Sequence, residues 1–268
     1  MNHRRRSSFD RGPAIERRRR SGELRRLAPI VIGIGVGIAG AAALHTAPSL
    51  VALSSIGRHI APSLAGVGDR GHVALTFDDG PDPSSTPAVL EALDELGWRA
   101  TFFMLGEMVR KAPGLAAEVA AAGHEVGVHG DQHRTLLRLG PRTTRDDIRR
   151  ATDEIAGATG VQPTWYRPPF GTLSVGGLLA ARKLDLRVVL WTAWGRDWRA
   201  EATGASVADD VLDGFVDGGT VLLHDSDCTS APESWRATLD SFPLLGKGFA
   251  DRGLVVGPVG EHGIAASR

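Results

Sequence analysis

Cysteine is almost missing from this chain. Its 268 residues include one, Cys228, which excludes an intramolecular disulfide framework and any cysteine-rich zinc cluster. Net charge is missing too, at a formal +0. No internal repeat is present, and no low-complexity tract follows the first residues. The zinc-protease pattern H-E-x-x-H fails, because Gly130 stands where its glutamate belongs between His129 and His133. A dinucleotide loop fails as well. Gly35, Gly37 and Gly40 spell G-x-G-x-x-G, but they lie inside an apolar run and the next acid is Asp69. The nucleotide fingerprint needs a preceding strand and an acid about 20 residues on. Close helix packing in lipid, with Gly33 and Gly37 at small-xxx-small spacing, accounts for these glycines better.

What is present describes a folded protein, with 42% hydrophobic and 23% charged residues. The zero net charge is a balance of unequal parts. Residues 1–26 hold ten arginines against Asp10, Glu16 and Glu23, giving +7, and the remainder carries −7 from 21 basic and 28 acidic side chains. The basic leader runs directly into residues 27–44, eighteen residues without a charge. A bilayer core asks for about 20 apolar residues, with a range of roughly 17–25. Arginines on the N-terminal side keep the leader cytoplasmic and send the rest of the chain across. The run exceeds the usual signal-peptide core of about 7–15 residues, which favours an uncleaved anchor. Small residues at 41–43 and at Ala47 keep a cleaved signal open, and the body is then secreted. A membrane segment right behind the arginines makes topology a better account of them than nucleic-acid binding.

Residues 45–71, with Pro48, Pro62 and several Ser and Gly, read as a tether. From residue 72 short apolar strands alternate with amphipathic helices. Strands are expected at 73–77, 100–104, 125–128, 164–167, 187–191, 219–223 and 253–256, and helices near 85–96, 113–122, 143–158, 174–184, 205–215 and 232–245. Gly97, Gly123 and Gly160 stand where C-terminal caps belong, while Thr143 or Thr144 and Ser206 suit helix starts. This alternation predicts an α/β fold: a distorted, seven-stranded (β/α) barrel resembling a TIM barrel, over residues 72–258, preceded by one N-terminal transmembrane or signal-anchor helix. Residues 259–268 are left as a C-terminal tail.

In such a barrel the polar residues at the C-terminal strand ends build the active site. Here they are Asp78-Asp79, then His129 and His133, then Arg167-Pro168-Pro169-Phe170-Gly171, then Asp197-Trp198, then His224-Asp225. Each has a bland alternative. Two histidines at i and i+4 share a helix face and can ligate a metal, yet they can equally be a surface pair. The adjacent aspartates suit a turn, or a division of labour in which one binds metal and the other acts as base. Arg167 either stiffens a loop or clamps a carboxylate. His224, beside Asp225, is either a core histidine or a general acid. Trp191, Trp194 and Trp198 are core residues or a stacking wall for a sugar ring. Cys228 reads as inert, and His45, His59, His72, His124 and His262 receive no role. What favours a site is the convergence of five strand ends on one face.

Five ordered motifs, TFDDGPDP at 76–83, HGDQH at 129–133, RPPFG at 167–171, RDW at 196–198 and LLHD at 222–225, resemble those of the polysaccharide deacetylases of carbohydrate esterase family four. That resemblance spans about residues 72–258 and implies the following roles. Asp78 is the general base, and Asp79, His129 and His133 are the metal ligands. Arg167 orients the base, and the Phe170 backbone N–H helps hold the oxyanion. Asp197 tunes the catalytic His224, the general acid. Trp198 packs over the site and Leu222 lines the pocket for the acetyl methyl. The implied cofactor is a divalent metal, zinc first, with cobalt, nickel or manganese compatible. The implied partner is an N-acetylated cell-wall or chitin-like glycan, and the implied reaction removes N-acetyl groups and releases acetate. No nucleic acid or nucleotide is expected. Two positions depart from the family pattern, Gly130 in place of Ser or Thr and Trp194 in place of an acid. They leave room for a silent glycan-binding barrel, and a metal-dependent O-acetyl esterase is a further alternative.

Overall fold

A computed structural model of the chain describes residues 55–264. The leader, the apolar run at 27–44 and the first part of the tether lie outside the described residues. Among the described residues no helix is long and apolar enough to cross a membrane.

Two short helices, α1 (Ser55–Ile60) and α2 (Pro62–Ala65), precede the first strand. Strand β1 (His72–Asp78) is buried along all but its first residue, as its run of apolar and β-branched side chains requires of a strand covered on both faces. It is followed by α3 (Thr86–Glu95), β2 (Thr101–Met104), α4 (Gly106–Lys111), α5 (Pro113–Ala121) and β3 (Glu125–Val128). Next come the long α6 (Pro141–Thr159), β4 (Trp165–Tyr166), α7 (Val175–Lys183), β5 (Arg187–Val188) and β6 (Ala193–Trp194). The chain continues through α8 (Gly204–Gly214), β7 (Thr220–His224), α9 (Trp235–Ala250) and β8 (Val255–Gly257).

Every strand pairing is parallel, and the main sheet runs β5-β4-β3-β2-β1-β7-β6. Strand β7 follows one edge of β1 from Ala74 to Asp78. On the other edge β8 pairs with the first half of β1 and β2 with the second. The curled parallel sheet agrees with the expected seven-stranded barrel: seven strands form the main order, and the short β8 joins β1 off that path. The strand expected at 187–191 stops at Val188 for a physical reason. The Val189 and Leu190 carbonyls accept hydrogen bonds from the Arg167 side chain, and the Leu190 N–H donates to Leu64 of α2. The ladder therefore ends at β5 on one side and β6 on the other, with the α2 segment bonded between them.

Helix α6 shows how local signals set boundaries. Pro141 opens it, Ile148, Ala151, Thr152 and Ile155 face inward at helical spacing, and Gly160 ends it with φ 70°. The start thus falls two residues before Thr143. Helix α8 is closed by a reciprocal Thr203–Ser206 capping box, so Ser206 is the third helical residue and not the cap. The main core joins the outward side of the sheet, through Leu75, Phe77, Phe102 and Val126, to Ile148, Phe242 and Phe249 on the helices.

A second, smaller core lies inside the sheet and takes in Ala74, Phe103, Trp165, Val189, Val259 and Ile264. The last two belong to the segment read as a tail. Between them His262 is fully buried. Its Nε2–H donates to the Gly218 carbonyl at 2.8 Å, which leaves Nδ1 as acceptor for the Nδ1–H of His72 at 2.7 Å. Burial, with the neighbouring His72 ring behind it, lowers the His262 pKa to about 4, so the pair is neutral at pH 7. Removing residues 259–268 should therefore lower unfolding free energy by about 3–6 kcal/mol, from two apolar side chains worth roughly 1.5–3 kcal/mol each. Denaturant titration of the truncated and full chains measures it. A loose tail would give no change.

Candidate active site

The strand order brings the ends of β1, β3, β4, β6 and β7 to one rim. A cavity of about 290 Å³ opens there, lined by Asp78, His129, His133, Phe170, Leu222 and His224 and walled by Trp191, Trp194 and Trp198. Every residue assigned a role from sequence thus either lines this cavity or bonds to one that does.

Asp78 ends β1, and its Oδ1 accepts from Arg167 Nη1 at 2.9 Å. Arg167 is completely buried. The same nitrogen also donates to Thr76 Oγ1 at 2.7 Å, and the guanidinium lies 4.1 Å from the centroid of the Phe103 ring. Burial raises the Asp78 pKa, while the charge of Arg167 pulls the other way. A carboxylate raised in this way and held in one orientation is suited to accept a proton.

Asp79 follows with φ 85°, which turns its side chain away from that of Asp78. Its Oδ1 lies 3.5 Å from Nε2 of His129 and 3.5 Å from Nε2 of His133. That oxygen is buried and has no hydrogen-bond partner. The His129 Nδ1–H donates to the Arg167 carbonyl at 2.8 Å, because a carbonyl can only accept. Nε2 is then the unprotonated nitrogen, aimed at the carboxylate. Burial lowers the His129 pKa to about 3 and keeps the ring neutral. An orphaned carboxylate oxygen facing a neutral, backbone-oriented imidazole suits a divalent cation, and Asp79, His129 and His133 each offer a ligand atom within 4.8 Å of the others. Such N and O donors without sulfur suit zinc, cobalt, nickel or manganese.

The two histidines do not share a helix face. Residues 129–133 form a bend, not a helix, and the rings lie with centroids 5.3 Å apart. Gly130 sets the bend at φ 101°, and a Cβ there would meet Asp147 Oδ2 at 3.0 Å. Asp147 reaches in from α6, accepting from the Asp131 N–H at 3.0 Å and from Arg134 at 2.6 Å. This carboxylate thereby braces the loop between His129 and His133. Arg110 and Arg150 in turn hold the buried Asp131.

His224 ends β7. Its Nδ1 donates to Asp197 Oδ1 at 2.8 Å, and its backbone N–H donates to Asp197 Oδ2 at 2.8 Å. Thr238 of α9 adds a third bond to Asp197 at 2.7 Å. Burial alone would lower the His224 pKa. The charge and hydrogen bond of Asp197, with Asp79 and Asp78 beyond, overcome this and raise it to about 10. Asp225 is not the partner that its place in the sequence suggested. Its carboxylate accepts from the Gly80 N–H and from Thr86 Oγ1, and burial pushes its pKa up to about 7.

Phe170 stands at φ 59° with 59% of its surface exposed, its ring 4.2 Å from that of His133. Trp198 meets His224 edge-on at 5.7 Å and Trp194 at 5.3 Å. Leu222 is buried on the cavity floor. Sequence reasoning missed Thr229 and Ser230 on the cavity wall, and Asp147 and Thr238 behind it. No short-range pattern announces them, since each acts across a gap in the chain set by the fold.

An α/β barrel whose strand ends gather a two-imidazole, one-carboxylate cluster beside a buried carboxylate–guanidinium pair is thus on view. Residues 65–189 match the family model described as polysaccharide deacetylase. The chitooligosaccharide deacetylase of Bradyrhizobium is 35% identical over 184 residues, covering 65% of this chain and 84% of that protein. The chain belongs to the polysaccharide deacetylase family. PgdA of Listeria monocytogenes, a peptidoglycan-N-acetylglucosamine deacetylase, is 36% identical over 159 residues, which cover 59% of this chain and 33% of PgdA. The matched region therefore spans about a third of that relative. The solved Bc1960 peptidoglycan N-acetylglucosamine deacetylase, in complex with a naphthyl-substituted N-oxidanyl-benzamide, superposes with a TM-score of 0.69 at 26% identity, over 76% of this chain and 92% of that one.

The bonds to Asp197 make a titration prediction. His224 has a folded pKa above its ordinary value, so its charged form contributes stability below about pH 6.5 and loses it as pH rises through about 10. Asp197→Asn removes the largest raising influence. The His224 titration followed by ring-proton NMR should then shift to lower pH by at least about one unit. An unmoved midpoint would show that the pair does not set it.

Proposed function

We propose that this protein is a metal-dependent polysaccharide N-deacetylase, which hydrolyses acetamides of N-acetylated amino sugars in a cell-wall or chitin-like glycan. The observation that carries the reading is the unpartnered Asp79 Oδ1 facing two imidazole nitrogens at 3.5 Å, beside a separately held Asp78. The family membership and the deacetylase names of the relatives support it.

A divalent cation held by Asp79, His129 and His133 would polarise the acetamide carbonyl and lower the pKa of a water toward ~7. Asp78, fixed by Arg167, takes a proton from the attacking water as its oxygen meets the carbonyl carbon. The Phe170 backbone N–H donates to the developing oxyanion, where one donor is worth roughly 3–4 kcal/mol. His224 is protonated at neutral pH and gives its proton to the departing amine. Without that transfer an amine anion would have to leave. The products are acetate and a free amino sugar. Leu222 packs beside the acetyl methyl, and the Trp194 and Trp198 rings offer stacking faces to the sugar.

We further propose that the leader and the run at 27–44 tether the domain at the cell membrane, with the catalytic unit outside the cytoplasm. The arginine excess of residues 1–26 and the eighteen uncharged residues behind it support this orientation.

Acetate release from a panel of N-acetylated oligosaccharides, with chelation and metal add-back, tests the reading. Chelation should abolish release and zinc or cobalt restore it. Asp78→Asn and His224→Ala should each lower kcat by about 10²–10⁴-fold. Glycan binding without acetate release by the unaltered protein would instead identify a silent barrel, and release from O-acetyl substrates alone an esterase. Trp194→Ala should raise KM for longer oligosaccharides by about 2–10-fold while leaving kcat near its starting value, as expected for a stacking contact worth roughly 0.5–1.5 kcal/mol.

A further inference from the structure

We infer that Thr229 is a positioning residue for the metal ligand Asp79. Its hydroxyl holds one carboxylate oxygen so that the other alone is presented to the cation. The inference rests on the metal-binding reading of Asp79, His129 and His133 given above. Thr229 lies outside the five motifs that mark the site.

Its Oγ1 donates to Asp79 Oδ2 at 2.5 Å, across 150 residues of sequence. The two oxygens of that carboxylate are therefore unlike. Oδ2 is occupied by the hydroxyl, whereas Oδ1 is buried, unpartnered and 3.5 Å from both imidazole nitrogens. The backbone does not by itself choose between them. The Asp79 N–H is engaged with the Phe103 carbonyl at 3.3 Å, which fixes the main chain and leaves the carboxylate free to rotate about its last bond. The Thr229 hydroxyl removes that freedom.

The loop that carries Thr229 is itself secured on both sides. Before it, the Cys228 N–H donates to Ser226 Oγ at 3.1 Å, and Ser226 Oγ donates to Asp82 Oδ2 at 3.0 Å. After it, the Ala231 N–H donates to the Trp198 carbonyl at 3.0 Å. The hydroxyl is thus delivered from a fixed place, bound to both the β1 and the β6 rims. A ligand carboxylate free to tilt and turn would offer both oxygens to the cation, crowding one side of it and taking up a position otherwise open to water or substrate. Hydrogen bonds that hold a ligating carboxylate typically matter 10–100-fold in metal affinity.

Three forms of the full chain decide it: unaltered, Thr229→Val, which keeps the shape and loses the donor, and Thr229→Ser, which keeps the donor. Each is titrated with zinc against a chromophoric chelator, and the visible absorption of its cobalt form is recorded. The valine form should bind zinc about 10–100-fold more weakly and show altered cobalt bands. The serine form should stay within about threefold of the unaltered chain, with its spectrum retained. Valine binding of unaltered strength with an unchanged spectrum overturns the inference, and so does serine binding as weak as valine. If valine fails to fold by circular dichroism, the serine form decides: weakened binding overturns the inference, and retained binding and spectrum support it. An unaltered protein that takes up neither metal overturns the metal reading of the site, and this inference with it.

Discussion

One buried side chain fixes most of this molecule's chemical geometry. Arg167 has no exposed surface, and it is bonded in four directions. Its Nη1 holds Asp78 and Thr76 of β1, its Nε and Nη2 reach the carbonyls of Val189 and Leu190, and its own carbonyl accepts from His129. Burial pushes both Arg167 and Asp78 toward their neutral forms, and each opposes that push on the other. A pair like this adds little net stability, yet removing one member strands a charge in the interior. What it contributes here is registration. The orientation of the Asp78 carboxylate, the tautomer of His129 and the edge of the sheet are all set by one guanidinium and its backbone.

Three carboxylates of the rim, Asp78, Asp79 and Asp197, share burial but differ in their partners. Asp78 is hydrogen-bonded to one cation, Arg167, and burial leaves it with a raised pKa. Asp197 is buried as deeply, but His224 and Thr238 satisfy it so fully that its pKa falls. Asp79 keeps one oxygen bonded and one bare. A carboxyl raised by burial, a fully bonded anion and a carboxylate with one unpartnered oxygen are therefore distinguished by hydrogen bonds, not by residue type. The pairing of titratable groups whose surroundings drive them apart is what lets acid and base coexist near neutral pH.

Much of this was legible in the sequence because it is local. Alternating apolar strands and helices gave the parallel α/β architecture, and Gly97, Gly123 and Gly160 do take the positive φ expected of helix ends. The motif residues were readable because they sit at strand ends, where a parallel sheet gathers them. Three things were not legible. The strand at 187–191 is cut short by side-chain bonds from Arg167, 22 and 23 positions before the carbonyls it holds. The spacing of His129 and His133 suggested a helix, but the left-handed turn at Gly130 makes a bend that serves the same convergence. His224 was given its neighbour Asp225 as a possible partner, whereas alternation along the chain sends that carboxylate to Gly80 and Thr86. In the first and third cases the deciding contacts join residues far apart in the chain, where local pattern carries no information.

The ladder's two ends, at β5 and β6, give the segment before β1 a part in the architecture. Leu64 takes a bond from Leu190, and the Gly66 carbonyl takes one from Thr220, so α2 fills a place between strands that no strand occupies. The boundary of the working unit is thereby displaced upstream of the first strand. A protease freeing this domain from its leader has to cut ahead of α2. A cut at residues 67–71 would release a cask with a stave missing, its buried arginine left beside the gap.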